Sequence, residues 1–207
     1  MPKVNREQHA RELLDHDLQY CRAGQIIAGM DEAGRGPLVG NVVTACVVMP
    51  LDIPPLLWVD DSKKLSEARR EKVFQEIMNT ALYVGIGEAS PDEIDRMNIL
   101  QATMQAMRTA AAQVPAGIFL IDAVKNLGLK GTEIPLIHGD ALSYNIAAAS
   151  IVAKVTRDRQ MIELDRKYPM YGFARNKGYG TKEHIEALKA YGPCPEHRRS
   201  FIGHFVS

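Results

Sequence analysis

What this sequence lacks narrows its identity quickly. Cysteine is sparse: Cys21, Cys46 and Cys194 are odd in number and far apart, which argues against a disulfide framework and for a reducing compartment. No apolar run approaches the ~18 residues needed to cross a bilayer. The charged stretch 1–16 has none of the apolar core of a signal peptide. The expectation is a soluble cytoplasmic protein with no membrane association. No repeat or low-complexity tract interrupts the 207 residues, of which 46% are hydrophobic and 24% charged. Fibrous and disordered classes are therefore excluded, and one ordinary domain with a proper core is expected.

Net charge is also missing, with 25 Lys+Arg against 25 Asp+Glu. Taken as a sum, that speaks against a nucleic-acid partner. The distribution is more informative. Residues 151–207 carry 11 basic against 6 acidic side chains, and residues 1–150 carry 14 against 19. A chain divided in this way can hold a negative patch for cations beside a positive one for phosphates, although chance clustering on solvated helix faces gives the same totals.

Helical spacing of Ala10, Leu13, Leu14 and Leu18 predicts a lead-in helix over 5–20, closed by Gly24. Residues 26–30 read as a short buried strand. The valine-rich run 38–49 reads as a central strand covered on both faces. Prolines 50, 54 and 55 open a loop reaching Ser62, followed by a helix over 66–80 and a strand over 81–88. Ser90-Pro91-Asp92-Glu93 combines a serine N-cap, a proline at the first helical position and a glutamate at the third; helix then runs in one or two pieces to about residue 114. Strands at 116–121 and 133–137 precede a helix over 141–166, whose Ala147-Ala148-Ala149-Ser150 stretch suits close packing on a sheet. Residues 167–180 are rich in Gly, Tyr and Pro, and a last helix covers 181–190. This alternation, with early strands close enough to pair antiparallel, predicts an α/β domain around a mixed sheet.

The acidic residues sit where the strands end. Asp31 and Glu32 follow 26–30, Asp122 follows 118–121, and Asp140 follows 134–137 after His138-Gly139. Sites in open α/β sheets gather at the carboxyl ends of strands, so these carboxylates can converge. Left alone they would repel one another and their pKa values would rise. Divalent cations relieve that repulsion, and the hard ions Mg2+ and Mn2+ take oxygen ligands. Two such ions ~3.5–4 Å apart suit in-line phosphoryl displacement. Each aspartate alone has a plainer reading as a helix cap or turn residue. Asp31 and Glu32 point to opposite faces of a strand, so both reach one site only if the strand has ended or bends.

Gly34-Arg35-Gly36-Pro37 lets backbone approach a ligand closely, and Asp61-Ser62-Lys63-Lys64 is a loop suited to phosphate. Asn176-Lys177-Gly178-Tyr179-Gly180-Thr181 places between glycines a tyrosine able to stack on a sugar or base. A zinc set of Cys194, His197 and His204 has irregular spacing. A triad of Ser150 with His184 or His197 lacks a nucleophile elbow. Both are set aside.

From about residue 29 to 201 the chain resembles type 2 ribonuclease H in its bacterial ribonuclease HII form. The resemblance rests on Gly29-Met30-Asp31-Glu32-Ala33-Gly34-Arg35-Gly36-Pro37, Asp60-Asp61-Ser62-Lys63-Lys64-Leu65, and Gly139-Asp140 with the run from Ile146 to Asp158. It extends to Tyr171-Gly172-Phe173 with Gly178-Tyr179-Gly180-Thr181, and to His197-Arg198-Arg199-Ser200-Phe201. It implies a ribonuclease H-like mixed β-sheet flanked by helices, with a helical C-terminal extension. The implied division is a lead-in over 1–24, a catalytic core over 25–166 and a segment over 167–207 completing the substrate groove. It also implies a two-metal endonuclease, using Mn2+ or Mg2+. Its substrates would be the RNA strand of RNA/DNA hybrids and single ribonucleotides in duplex DNA, with a 3′-hydroxyl and a 5′-phosphate left behind.

By position, Asp31, Glu32, Asp122 and Asp140 would be the catalytic metal ligands. Gly34, Arg35, Gly36 and Tyr179 would read the junction from RNA into DNA, where the 2′-hydroxyl is the distinguishing group. Ser62, Lys63, Lys64, Lys154, Arg157 and Lys182 are the nominated substrate contacts, chiefly to phosphates. No obligate protein partner is expected, and a monomer is the default. The chain departs from the pattern at Ala123-Val124, where Gly-Asn is frequent, at His138, where lysine is common, and at Tyr144-Asn145, which would crowd the first turn of the helix after Asp140. Two competing readings are a hybrid- or junction-binding protein that does not cut, and an unrelated two-metal nuclease acting on DNA. Four carboxylates near a phosphate disfavour the former, and cutting of an all-DNA duplex would mark the latter.

Overall fold

The computed structural model describes residues 5–22 and 24–206; of the expected lead-in segment, residues 1–4 and 23 lie outside the described residues. Five strands form the middle layer: β1 (Ile27–Ala33), β2 (Val42–Val48), β3 (Tyr83–Ala89), β4 (Ile118–Asp122) and β5 (Thr132–Leu136), in the order β3-β2-β1-β4-β5. β1 pairs antiparallel with β2 and parallel with β4, β2 pairs antiparallel with β3, and β4 pairs parallel with β5. This is the mixed sheet expected. β2 is buried at every position, yet the centre of the sheet is β1.

The helices are α1 (Arg6–Leu18), α2 (Glu67–Thr80), α3 (Pro91–Met97), α4 (Ile99–Ala111), α5 (Tyr144–Lys167), α6 (Phe173–Asn176), α7 (Lys182–Tyr191) and α8 (Arg199–Ile202). Alternation along the strands supplies both faces of the sheet. Ala45, Val47 and Met49 pack under the small residues of α5, while Cys46, Val48 and Met30 pack under Met107 and Ala110 of α4. The α5 contact is close enough that a Cβ on Gly29 would lie 2.1 Å from the carbonyl carbon of Asn145. Glycine at position 29 therefore lets the helix rest directly on the strand. The capping box at Ser90 and Glu93 forms as expected. Asn98, at φ 73°, divides the following helical stretch in two.

The first turn of α5 is anchored rather than crowded. The buried Asp17 of α1 accepts at Oδ2 from the Asn145 backbone N–H (2.8 Å) and amide Nδ2 (2.9 Å). Asn145 Oδ1 accepts from the Met49 N–H at 2.7 Å, and the Tyr144 hydroxyl accepts from the Leu56 N–H at 2.8 Å. The expectation of crowding at Tyr144-Asn145 is thus corrected: both side chains are buried with their polar atoms bonded, which also ties α1 to the core.

Two strand boundaries differ from the sequence expectation by more than two residues. β1 continues through Asp31 and Glu32, because its pairing with β2 persists at Asp31–Ala45, Glu32–Thr44 and Ala33–Val43. Residues 38–41 leave the sheet instead of opening β2. Gly40 turns there at φ 78°, and the segment is strapped to the C-terminal part of the chain. Leu38 N–H donates to Gly178 O (2.8 Å), Gly40 N–H to Glu196 O (2.9 Å) and Arg198 N–H to Leu38 O (2.9 Å). Val39 bridges to His197. Among the described residues, no helix is long and apolar enough to cross a membrane.

Candidate active site

The parallel pairing of β1 with β4 stops at Met30 beside Ile121, so the next residues, Asp31 and Asp122, emerge as neighbours where β4 ends and β1 runs on beside β2 alone. β5 runs beside β4 with Leu136 opposite Asp122. His138 then turns the chain at φ 56°, and a single 3-10 turn, Gly139–Ala141, carries Asp140 back toward the same point. One oxygen from each of Asp31, Asp122 and Asp140 lies within 4.8 Å of the others, the one such acidic grouping found among the described residues. Asp31 Oδ1 accepts from the Glu32 N–H at 2.7 Å, and Asp122 Oδ1 from the Gly139 N–H at 2.7 Å.

Glu32 stands beside this trio and not within it. It lines the same groove as Asp31 although it is the next residue of β1, and Arg35 Nη1 lies 3.4 Å from its Oε1. Its buried Oε2 has no hydrogen-bond partner. Burial first, then the charges of Glu32 and Asp122, push the Asp31 carboxyl well above the usual range, against the pull of the Glu32 N–H and the Ser150 hydroxyl. Asp140 is raised by burial and by Asp61 and Asp122, with Lys63 opposing. Glu32 is raised by burial and Asp122, opposed by Arg35. Burial would lower Lys63, but Asp140, Asp61 and Asp31 outweigh it and raise the amine; its Nζ sits 3.5 Å from Asp140 Oδ2. Clustered carboxylates with raised pKa values and an orphaned acidic oxygen are the donor set that a hard divalent cation suits.

The trio meets, through Asp31, a groove of about 220 Å³ whose lining also includes Glu32, Lys63, Lys154, Arg157 and Tyr179. A larger hollow of about 470 Å³, lined by Val114, Phe119 and Leu129, contains no carboxylate. Residues 34–36 form one wall of the groove. Gly34 sits at φ 96°, where a side chain would be strained and would collide with Arg157. Gly36 lies under the Tyr179 ring, with room for a Cβ 3.6 Å from Tyr179 Cε1.

The nominated substrate contacts separate into groups. Lys63 and Lys154 line the groove; Lys154 also holds Asp158 at 2.5 Å. Lys64 pairs with Asp60 at 3.1 Å, and Lys182 lies 3.8 Å from Glu186 on an exposed turn of α7. Ser62 is buried, and its Oγ accepts from the Ser150 hydroxyl at 2.9 Å. Arg157 also lines the groove, but the side chain is buried and its guanidinium is bonded to backbone. It donates to Asn41 O (3.2 Å), Lys177 O (2.9 Å) and Val39 O (3.1 Å).

Sequence reasoning missed a second buried arginine of the same kind. Arg198 donates to the carbonyls of Gly34 (2.7 Å), Arg35 (3.1 Å), Pro37 (2.8 Å) and Gly40 (2.8 Å). Burial and the nearby Arg157 charge pull Arg198 down to about 9. Its only sequence signal was its place in the block His197-Arg198-Arg199-Ser200-Phe201, since nothing local reveals which carbonyls a distant guanidinium meets. The zinc set does not assemble: His197 is buried against Cys194, whereas His204 is exposed and packs on Phe205.

Comparison with known proteins gives this geometry its lineage. The family profile described as Ribonuclease HII matches residues 28–204. A ribonuclease HII of Acetivibrio thermocellus is 52% identical over 189 residues, covering 90% of this chain and 73% of that protein. One of Syntrophobacter fumaroxidans is 53% identical over 197 residues, covering 94% and 84%. The crystal structure of the ribonuclease H2 from Pyrococcus horikoshii OT3 superimposes with a TM-score of 0.71 at 28% identity, covering 86% of this chain and 98% of that one. The chain belongs to the ribonuclease HII family, and it is a metal-dependent ribonuclease H.

Proposed function

We propose that this ribonuclease H hydrolyses the RNA strand of RNA/DNA hybrids and also cuts on the 5′ side of single ribonucleotides embedded in duplex DNA. It would leave a 3′-hydroxyl and a 5′-phosphate, working with Mg2+ or Mn2+. The observation that carries this reading is the convergence of Asp31, Asp122 and Asp140 within 4.8 Å, beside a groove lined by residues 34–36 and Tyr179.

Asp31, Asp122 and Asp140 would hold the cations, with Glu32 completing the set from the rim. When bound, a pair of divalent ions supplies an activated water and charge stabilisation at the departing 3′-oxygen. The carboxylates keep their aim through the Glu32 and Gly139 N–H groups. Residues 34–36 bring backbone close enough to meet a 2′-hydroxyl, the group that marks a ribonucleotide among deoxyribonucleotides. Tyr179, half exposed at the groove, stacks on the sugar of the nucleotide that follows. Lys63, Lys64, Lys154 and Lys182 hold phosphates, and such contacts make binding salt-dependent.

The test is incubation of the purified protein with a DNA duplex carrying one ribonucleotide, in magnesium, in manganese and in chelator. Metal-dependent cutting 5′ of the ribonucleotide, with the matching all-DNA duplex intact, is the expected result. Folded protein that binds the duplex but cuts it under neither metal would overturn the proposal and leave a junction-binding module. Cutting of the all-DNA duplex would remove the role given to residues 34–36 and Tyr179.

A further inference from the structure

Two histidines that take no part in the carboxylate site are buried in line behind Tyr179: His184 meets its backbone carbonyl and His197 meets His184. His184, on the first turn of α7, and His197, before α8, are 0% and 1% exposed. Tyr171 and Phe173, stacked on each other at 5.1 Å, present their rings edge-on or tilted to both imidazoles. The hydrogen bonds inside this box run in one direction. The Cys194 backbone N–H donates to His197 Nδ1 at 3.0 Å. A backbone N–H can only donate, so that ring nitrogen is unprotonated and the proton of neutral His197 is on Nε2. His197 Nε2 lies 3.1 Å from His184 Nε2, which must therefore accept. The proton of His184 is then on Nδ1, 2.8 Å from the carbonyl oxygen of Tyr179. A single pair of tautomers satisfies every contact. Burial disfavours the charged form of both rings, lowering His184 and drawing His197 down to about 4 with help from His184.

The far end of this chain of bonds is tied to the other half of the groove wall. His197 pairs with Val39, and the next residue, Arg198, holds the carbonyls of Gly34, Arg35, Pro37 and Gly40. The Tyr179 ring lies over Gly36. The histidines thus bridge the two elements that must keep a fixed spacing if the sugar between them is to be read.

We propose that His184 and His197 form a hydrogen-bond relay of fixed direction that positions Tyr179 against residues 34–36, which makes both histidines positioning residues that determine specificity at the ribonucleotide–deoxyribonucleotide junction. The proposal rests on the junction role given to Tyr179 above. A core that merely fills space would need the volume of the two rings and not the direction of their protons.

Two measurements test it. The first is 15N NMR of histidine-labelled protein at neutral pH, which reads the tautomers directly. His184 protonated on Nδ1 and His197 on Nε2 is the expected result; His184 protonated on Nε2 overturns the relay. The second compares His184→Asn, whose amide nitrogen stands near the place of Nδ1, with His184→Gln, whose amide nitrogen stands near that of Nε2. The readout is the ratio of cleavage rates on a single-ribonucleotide duplex and on a uniform RNA/DNA hybrid. His184→Gln lowers this ratio about five- to tenfold, the range for loss of one buried hydrogen bond, and shifts the amide resonance of Gly180, which shares a peptide with the Tyr179 carbonyl. His184→Asn keeps the ratio within about twofold of wild type, although both variants unfold at lower temperature.

Added to Tyr179→Ala, His184→Gln lowers the ratio no further. Equal ratios for the Asn and Gln variants, or a further fall in the Tyr179→Ala background, overturn the positioning role. If Tyr179→Ala alone leaves the ratio at the wild-type value, the junction reading falls instead, and the tautomers and the Gly180 shift decide the relay by themselves.

Discussion

The carboxylate cluster that meets the groove at Asp31 (its floor) and the wall beside it are built on opposite principles. The floor gathers Asp31, Asp122 and Asp140 from regular strands and one tight turn, and leaves like charges facing one another. The wall, residues 34–40 with Tyr179, is irregular chain held by two buried cations, Arg157 and Arg198, whose guanidinium groups are spent on its carbonyls. The floor holds repulsion that Lys63 and Arg35 only partly relieve, and a bound cation would settle it. The wall has its polar groups bonded from within and needs none. One region is rigid in backbone and unsettled in charge; the other, lacking regular structure, is settled in charge and fixed by hydrogen bonds. Chemistry belongs to the first and recognition to the second.

The sharpest way to break this division is at the floor. Asp122→Asn removes one charge of the trio while keeping the oxygen that accepts from the Gly139 N–H. Cleavage should fall to the level of the chelated wild type, while hybrid binding measured in chelator stays within about twofold, because the wall and the lysines are untouched. Turnover at the wild-type rate would remove Asp122 from the metal site. At the wall the largest effect is Arg198→Met. It strands the carbonyls of Gly34, Arg35, Pro37 and Gly40, of which Pro37 and Gly40 are buried, and unpaired buried acceptors cost on the order of 1–3 kcal/mol each before relaxation. A loss of about 3 kcal/mol or more in denaturant unfolding is expected, with weaker discrimination between hybrid and all-DNA duplex. A stability within error of wild type would show that the wall stands without its cation.

The two regions were also unequally legible in the sequence. The floor could be read because strand ends and carboxylates coincide in one dimension: Asp122 does end β4, and Asp140 follows β5 by a short turn. Even there, β1 ran three residues further than its apolar pattern, since pairing with β2 overrode composition at Asp31 and Glu32. The wall was legible only as glycines and a tyrosine. Its supports come from α5 and the C-terminal segment, more than 100 residues away in the chain, and no local pattern distinguishes an arginine bound for carbonyls from one bound for phosphate. Arg157 is the case in point: it lines the groove, yet its guanidinium bonds the carbonyls of Val39, Asn41 and Lys177. Residues 38–41 were misread as strand because an apolar run looks the same whether it pairs in a sheet or under a strap.

A subtler probe asks whether the floor's repulsion is real in the metal-free state. Asp31, Glu32 and Asp140 have pKa values raised by folding, so across that range the folded state holds protons that the unfolded chain has released. Their contribution to stability is complete below the ordinary carboxylate range and is lost as pH rises through the raised values. His184 and His197 are lowered by burial and act with the opposite sign as pH falls toward about 4, so a difference measurement is needed. In chelator at neutral pH, Asp31→Asn should unfold at a higher temperature than wild type, with the gain shrinking as pH falls into the ordinary carboxylate range. Adding Mn2+ should stabilise wild type more than the variant, because the ion binds the folded site. A variant less stable than wild type in chelator at neutral pH would mean that the trio is not strained.

The smallest expected effect tests the floor's backbone separately from its charge. Ala123 follows Asp122 at φ 52°, in the left-handed region that costs an L-residue roughly 1–2 kcal/mol. Its N–H donates to Leu136 O at 2.9 Å, so the strained turn sits between two strands that carry acidic residues. Ala123→Gly relieves the strain and at the same time loosens the unfolded chain, and the two effects partly cancel. A net gain of about 0.5–1 kcal/mol in denaturant unfolding is expected. Because Asp122 keeps its bond to the Gly139 N–H, the cleavage rate at saturating metal should stay within about twofold of wild type. A larger fall in rate at unchanged metal affinity would show that the strained turn itself aims Asp122, and would give the floor a share of the backbone-held precision otherwise confined to the wall.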